Sequence, residues 1–155
     1  MKKIKVGLNG FGRIGRAIAR IASEKDFIEL VAINTSKTTP EQLAYSLKYD
    51  SIYRTFEKPV KKVEGGISLS GRFVKAYNIR NPEEIPWEET GVEVVIDCTG
   101  VFKTREDLKK HLDAGAKKVV LSAPAKGDIP TYVLGVNADK YNGETAINNA
   151  SCTTN

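Results

Sequence analysis

Near its end the sequence runs Asn148-Asn149-Ala150-Ser151-Cys152-Thr153-Thr154-Asn155, a cysteine set among small hydroxyl and amide side chains. A thiol attacks as its thiolate, and a helix N-terminus stabilises that anion. The preceding TAINNA reads as a strand, and Ser151 is a good N-cap residue, so Cys152 should fall in the first turn of a helix. Backbone N–H groups of such a turn would also hold an oxyanion, which suits nucleophilic attack on a carbonyl. The second chemistry-bearing stretch is Gly10-Phe11-Gly12-Arg13-Ile14-Gly15. Alone, G-x-G-x-x-G recurs by chance. Here it leaves a predicted strand, IKVGLN, and opens a predicted helix, the context in which the string binds a dinucleotide. Gly10 permits the tight turn, Gly12 lets the backbone approach a pyrophosphate, and Gly15 lets helix and strand pack closely. The helix N-terminus turns its N–H groups toward the phosphates.

The choice of dinucleotide turns on the tip of the second strand. An NAD site places an acid about twenty residues on from the glycines, where it binds the adenosine ribose. Here the tip reads Ile33-Asn34-Thr35-Ser36-Lys37, and Thr35 stands where the acid should be. A carboxylate there repels a 2′-phosphate, whereas two hydroxyls and a lysine accept one. The cofactor is therefore read as NADP or NAD, with NADP slightly favoured. Other reactive residues read as bland. Cys98 in VVIDCTG is a strand thiol packing as a small hydrophobe, and Asp97 a sheet-end hydrogen-bonding residue. His111, the single histidine, sits on a lysine-rich helix and reads as partly solvated. Two cysteines and one histidine show no metal-ligand spacing, so no metal site is expected.

These residues need a scaffold, and the patterning supplies one. IKVGLN and FIELVAIN are strands. Between them GRIGRAIARIASEK carries Ile14, Ile18, Ile21 and Ala22, a stripe at helical spacing predicted to face the sheet. TPEQLAYSLKY is a helix with Pro40 in its first turn. GGISLS and RFVKAYNI form a hairpin joined at Ser70-Gly71. VEVVIDCTG is a further core strand, and TREDLKKHLDAG a helix capped by Thr104 and Asp107 and stopped at Gly115. KKVVLSA, TYVLGVN and TAINNA complete the strands. Strands alternating with helices predict an α/β fold, a Rossmann-type doubly wound, mainly parallel sheet with an inserted hairpin.

Composition narrows the function classes. The 155 residues suffice for one domain with a core, and 41% hydrophobic content is ordinary for a globular chain. No apolar run is long enough to span a bilayer, no signal-peptide core follows the N-terminus, and two thiols suit a reducing, cytoplasmic setting. The net charge of +5 comes from scattered lysine pairs without interleaved aromatics. Neither nucleic acid nor membrane is an expected partner.

VGLNGFGRIGR, KYDS, CTGVF, HLDAGAKKVVLSAPAK and NASCTTN together resemble the N-terminal half of a phosphorylating glyceraldehyde-3-phosphate dehydrogenase, in order, from residue 4 to residue 155. The closing SCTTN is specific to that family and to the related erythrose-4-phosphate dehydrogenases. Thr35 departs from the aspartate usual in NAD-dependent members. The resemblance implies that Asn9, Gly10, Gly12, Arg13 and Ile14 line the pyrophosphate and adenosine side. Asn34 and Thr35 would face the ribose, Arg80 the adenine edge, and Thr99, Gly100 and Ser122 the path to the nicotinamide. Cys152 would be the nucleophile, with Ser151 and Thr153 binding phosphate beside it. Residues 1–151 would then be the NAD(P)-binding domain and 152–155 the start of an absent catalytic domain carrying the base histidine. The implied parent is a homotetramer acting on a sugar phosphate and inorganic phosphate, while the 155 residues alone should be inactive. A stand-alone nucleotide-binding or thiol redox-sensing module is the alternative.

Overall fold

A computed structural model describes residues 2–153; Met1, Thr154 and Asn155 lie outside it, and with the last two the close of the SCTTN stretch and of the expected 152–155 boundary segment. The chain runs β1 (Ile4–Asn9), α1 (Arg13–Ala22), β2 (Ile28–Asn34) and α2 (Pro40–Lys48). Two short strands, β3 (Tyr49–Asp50) and β4 (Arg54–Thr55), pair with each other. Then come β5 (Val60–Val63), β6 (Gly66–Leu69), β7 (Arg72–Tyr77), β8 (Val94–Asp97), α3 (Arg105–Asp113), β9 (Lys118–Leu121) and β10 (Ala146–Asn148). One eight-stranded sheet has the order β10-β9-β8-β1-β2-β7-β6-β5. Each pairing from β10 to β7 is parallel, and only β7–β6 and β6–β5 are antiparallel. This is the Rossmann-type doubly wound α/β sheet that the patterning predicts.

Local chemistry starts the helices where the sequence says it should. Thr39 and Gln42 form a reciprocal capping box at the head of α2, with Pro40 as the first helical residue. Thr104 and Asp107 do the same for α3. After the Ala114 cap, Gly115 adopts φ +104°, a left-handed turn that stops α3.

The apolar interior lies on both faces of the sheet. Leu8, Ile33, Leu43, Leu47, Ile67 and Val74 pack beneath α1 and α2. On the opposite face Trp87, Ile85, Val95 and Ala32 form a second cluster, and Leu108, Val119 and Leu121 a third beneath α3. The β1–β2 register slips between Val6 and Gly7, which pair with Leu30 and Ala32. That bulge places Leu30 and Ile33 in one cluster although they are three positions apart, an odd spacing that would otherwise face opposite sides.

One expectation fails here and another holds only in part. The α1 stripe holds only in half: Ala22 is buried and Ile18 packs against the first cluster, but Ile14 and Ile21 are 48% and 54% exposed, and the other buried residues are Gly15 and Ala19. A Cβ on Gly15 would sit 2.3 Å from the Gly10 carbonyl oxygen, so the first turn of α1 lies too close to the glycine loop for any side chain at that position. TYVLGVN is not a strand; it contributes one bridge, Thr131 to Asn148, and then turns, its Val133 N–H bonded to the Asn137 side chain. The expected hairpin forms, β6 and β7 pairing antiparallel around Ser70-Gly71, and the chain enters it between the parallel strands β2 and β8. β7 joins the parallel sheet beside β2, while β6 and an unforeseen β5 extend its edge.

Candidate functional site

β1 has β2 on one side and β8 on the other, so the chain changes direction across the sheet at β1. Ligands of open α/β sheets bind at the carboxyl ends of the strands at such a switch point. A cavity of about 550 Å³ opens there, lined by Asn9, Gly10, Phe11 and Gly12 after β1, by Asn34, Thr35, Ser36 and Thr38 after β2, and by Ile79, Arg80, Cys98, Thr99, Val101 and Phe102. Seven of the predicted cofactor residues thus share one wall system: Asn9, Gly10, Gly12, Asn34, Thr35, Arg80 and Thr99. Arg13 and Ile14, exposed in the first turn of α1, are not among its lining residues, and neither are Gly100 and Ser122.

Each glycine of the motif answers a different demand. Gly10 has φ +95°, and a Cβ there would lie 2.9 Å from the Cys98 carbonyl carbon and the Thr99 nitrogen. Gly15 makes the close approach already described. Gly12 is the opposite case, since a Cβ would meet no protein atom within 4 Å. Gly12 is also the N-cap of α1, where no side chain caps the helix and no acidic residue lies in the first turn. The positive end of the helix therefore faces the cavity without an internal counter-charge. A pyrophosphate fits this loop.

A buried polar chain runs under the cavity floor. Asp97, fully buried at the end of β8, accepts hydrogen bonds from Asn9 Nδ2 at 2.8 Å, His111 Nε2 at 3.1 Å, Thr99 N at 3.0 Å and Thr99 Oγ1 at 2.6 Å. Asn9 Oδ1 in turn accepts from Asn34 Nδ2 at 2.8 Å. Asn34 clasps the backbone of Ile79, donating to its carbonyl at 2.9 Å and accepting from its N–H at 3.0 Å. On the far side Trp87 Nε1 donates to His111 Nδ1 at 3.2 Å. Indole N–H only donates, so Nδ1 is the acceptor and Nε2 carries the proton toward Asp97. The 3.4 Å approach of Asn9 Nδ2 to His111 Nε2 is then two donors converging on one carboxylate oxygen. His111, expected to be partly solvated, is fully buried. It follows Leu108 by three residues and so shares its face, a periodicity that could have revealed it.

Thr35 keeps its place through its backbone N–H to the Tyr77 carbonyl at 3.1 Å, and its hydroxyl donates to Thr38 Oγ1 at 2.8 Å. A neighbouring depression of about 600 Å³ is lined by Arg16, Lys37, Thr38 and Gln42, with Glu41 as its acid. Arg16 reaches Asp50 at 3.7 Å, while its buried Nε has no hydrogen-bond partner. Cys98 is half-buried in the cavity wall, and burial pushes its thiol up to about 11, which makes it a poor nucleophile.

The predicted nucleophile stands apart, two strands away past the end of β10. Asn148 is buried and governs the approach: its Oδ1 accepts from Ala150 N at 2.9 Å and from the Thr131 hydroxyl at 3.2 Å, and its Nδ2 donates to the Ala123 carbonyl. The first bond holds Ala150 at φ +59°, a left-handed conformation that redirects the chain before Cys152. Cys152 is exposed in a turn, and the Ser151 and Thr153 hydroxyls lie 3.1 Å apart beside it. The helix expected to begin at Ser151 would run into residues outside the described range. Phe11, Phe102, Thr38 and Ile79 were not foreseen in the cavity, because nothing local in the sequence marks them as wall residues.

Comparison with known proteins finds one family over most of the chain. Residues 4–105 match the family described as "Glyceraldehyde 3-phosphate dehydrogenase, NAD binding domain". A glyceraldehyde-3-phosphate dehydrogenase of Sclerotinia sclerotiorum is 51% identical over 156 residues, which is 100% of this chain and 46% of that protein. One of Buchnera aphidicola subsp. Schizaphis graminum is 46% identical over 152 residues, 98% of this chain and 46% of the relative. A relative named "Glyceraldehyde-3-phosphate dehydrogenase, cytosolic", of Leishmania mexicana, shows the same 46% identity over 98% of the chain. The chain spans just under half the length of these curated relatives.

Proposed function

This chain belongs to the glyceraldehyde-3-phosphate dehydrogenase family by its NAD-binding domain, and on that premise we propose that it is the dinucleotide-binding half of an oxidoreductase that converts an aldehyde phosphate to an acyl phosphate. The observation that carries this reading is the open side of Gly12, which lines the cavity and where a Cβ would meet no protein atom within 4 Å. Gly10 and Gly12, with the N-terminus of α1, would hold the pyrophosphate, and Arg13 and Ile14 would flank it. Asn34, Thr35 and Arg80 would border the adenosine, with Thr99, Gly100 and Ser122 on the nicotinamide side. The bound dinucleotide supplies a hydride acceptor. Cys152 would attack the aldehyde carbon, its sulfur forming the bond that later becomes a thioester. Ser151 and Thr153 would bind the phosphate that cleaves it. The relatives' shared name favours a glyceraldehyde phosphate over an erythrose phosphate.

The cofactor is assigned as either nicotinamide dinucleotide with NADP favoured. No carboxylate stands at Thr35, and Arg16 and Lys37 line the depression beside it, where a 2′-phosphate would project. Glu41 is the opposing charge there. Calorimetric titration of the chain with NAD and with NADP tests both points. Binding should be seen with each and be tighter for NADP, and Gly12→Val should abolish it, because the valine would occupy the space of the pyrophosphate. Undiminished binding in that variant overturns the site, and tighter binding of NAD overturns the preference.

A further inference from the structure

The hydride chemistry gives the buried histidine no part to play, yet His111 is among the most completely packed polar residues of the molecule. Its surroundings are polarised in one direction. Trp87 can only donate and Asp97 can only accept, so His111 between them is fixed as the Nε2–H tautomer. The same carboxylate fixes the orientation of Asn9, because the amide nitrogen must face it, and Asn9 then presents oxygen to Asn34. Asn34 consequently turns its own oxygen to the Ile79 N–H. Of these residues Asn9, Asn34, Thr99 and Ile79 line the cofactor cavity, whereas Trp87 and His111 do not.

We propose that His111 is a positioning residue for the cofactor cavity: pinned by Trp87, it anchors the Asp97 carboxylate that sets Thr99 on one wall and, through Asn9 and Asn34, the Ile79–Arg80 segment on the other. A residue that only filled space beneath α3 would be apolar, as its helix neighbour Leu108 is. An apolar residue at 111 would take one of four donors from a buried carboxylate. Asp97 would then have to shift toward its remaining donors or admit water, and both walls would follow. The role rests on the cavity being the dinucleotide site, and it is read without ligand as well as with it.

The test compares His111→Phe with His111→Gln, which retains an N–H donor. In the ligand-free chain, NMR should show the Thr99 and Ile79 amide resonances displaced in the phenylalanine variant and largely restored in the glutamine one. With NAD as titrant, His111→Phe should bind about tenfold more weakly per folded molecule, the scale of one lost buried hydrogen bond. His111→Gln should recover most of that. Should the phenylalanine variant not fold, the unmodified chain decides. Nitrogen shifts should report the Nε2–H tautomer, and NAD at saturation should move the Trp87 indole and His111 Nε2–H resonances although neither residue lines the cavity. An Nδ1–H tautomer, unmoved resonances, or equal affinity in both variants overturns the positioning role. If the unmodified chain binds no NAD or NADP, the dinucleotide reading fails, and the wall displacement without ligand still decides the inference.

Discussion

The cofactor cavity and the cysteine turn both lie at the carboxyl ends of strands in one sheet, but they are held by different means. The cavity rests on backbone contacts at Gly10 and Gly15 and on a buried network of five side chains, Trp87, His111, Asp97, Asn9 and Asn34. The cysteine turn hangs from one buried side chain, Asn148, and carries an exposed thiol. The two needs differ. A pyrophosphate is held by N–H groups in fixed array, which any intruding side chain spoils. A thiol proposed as a nucleophile needs access, and Cys152 is exposed in its turn. His111 cannot serve as the base for Cys152, because both its ring nitrogens are engaged beneath the sheet.

The sharpest way to break the contrast is to disturb the backbone contact. Gly15→Ala places a methyl 2.3 Å from the Gly10 carbonyl oxygen, and α1 must move away from the sheet. Urea unfolding should show a loss of about 3 kcal/mol, at the upper end for overpacking. A loss below about 1 kcal/mol, as expected of Gly12→Ala where the space is open, would mean that this contact does not hold the turn.

The two cysteines give the next test. Brief iodoacetamide treatment at neutral pH should label exposed Cys152 well before Cys98, as read by mass mapping. Earlier labelling of Cys98 would reverse the assignment of the nucleophile. The Cys98 thiol titrates at about 11 in the fold against 9.0 when free. The folded state thus disfavours the thiolate, so stability is complete below pH about 9 and falls as pH rises toward 11, by on the order of 1–3 kcal/mol. Cys98→Ala should flatten that alkaline limb, and an unchanged limb would place the alkaline loss elsewhere.

The smallest effect belongs to the cysteine turn itself. Ala150→Gly relieves a left-handed conformation worth about 1–2 kcal/mol. It also loosens the unfolded chain and removes a buried methyl, together about as much. Melting should therefore stay within about 1 kcal/mol of the parent. A larger loss would show that the methyl, rather than the Asn148 bond, holds the turn.

What was legible in the sequence was local. The glycine turn after β1, the capping boxes at Thr39 and Thr104, the Ser70-Gly71 hairpin and the thiol among hydroxyls are each settled by residues within a few positions of one another. Such short-range chemistry also marked Gly10, Gly12 and the Asn34-Thr35 strand tip in the cavity, whereas Asn9, Arg80 and Thr99 came only from the family resemblance. The misread elements share the opposite property. Four apolar residues of α1 fit a helical stripe, but the close Gly10–Gly15 approach turns Gly15, Ala19 and Ala22 inward, with Ile18 only at the cluster's margin and Ile14 and Ile21 exposed. TYVLGVN has strand-forming residues, yet only Thr131 finds a strand to pair with. His111 looks solvated among lysines until Trp87 and Asp97, 24 and 14 residues away, close around it. Residues alone settled the turns, the caps and the form of the glycine loop, since their energies lie within single turns of chain. Tertiary structure alone decided the buried face of α1, the sheet's antiparallel edge and the histidine's partners, because those energies exist only when distant segments exclude water together.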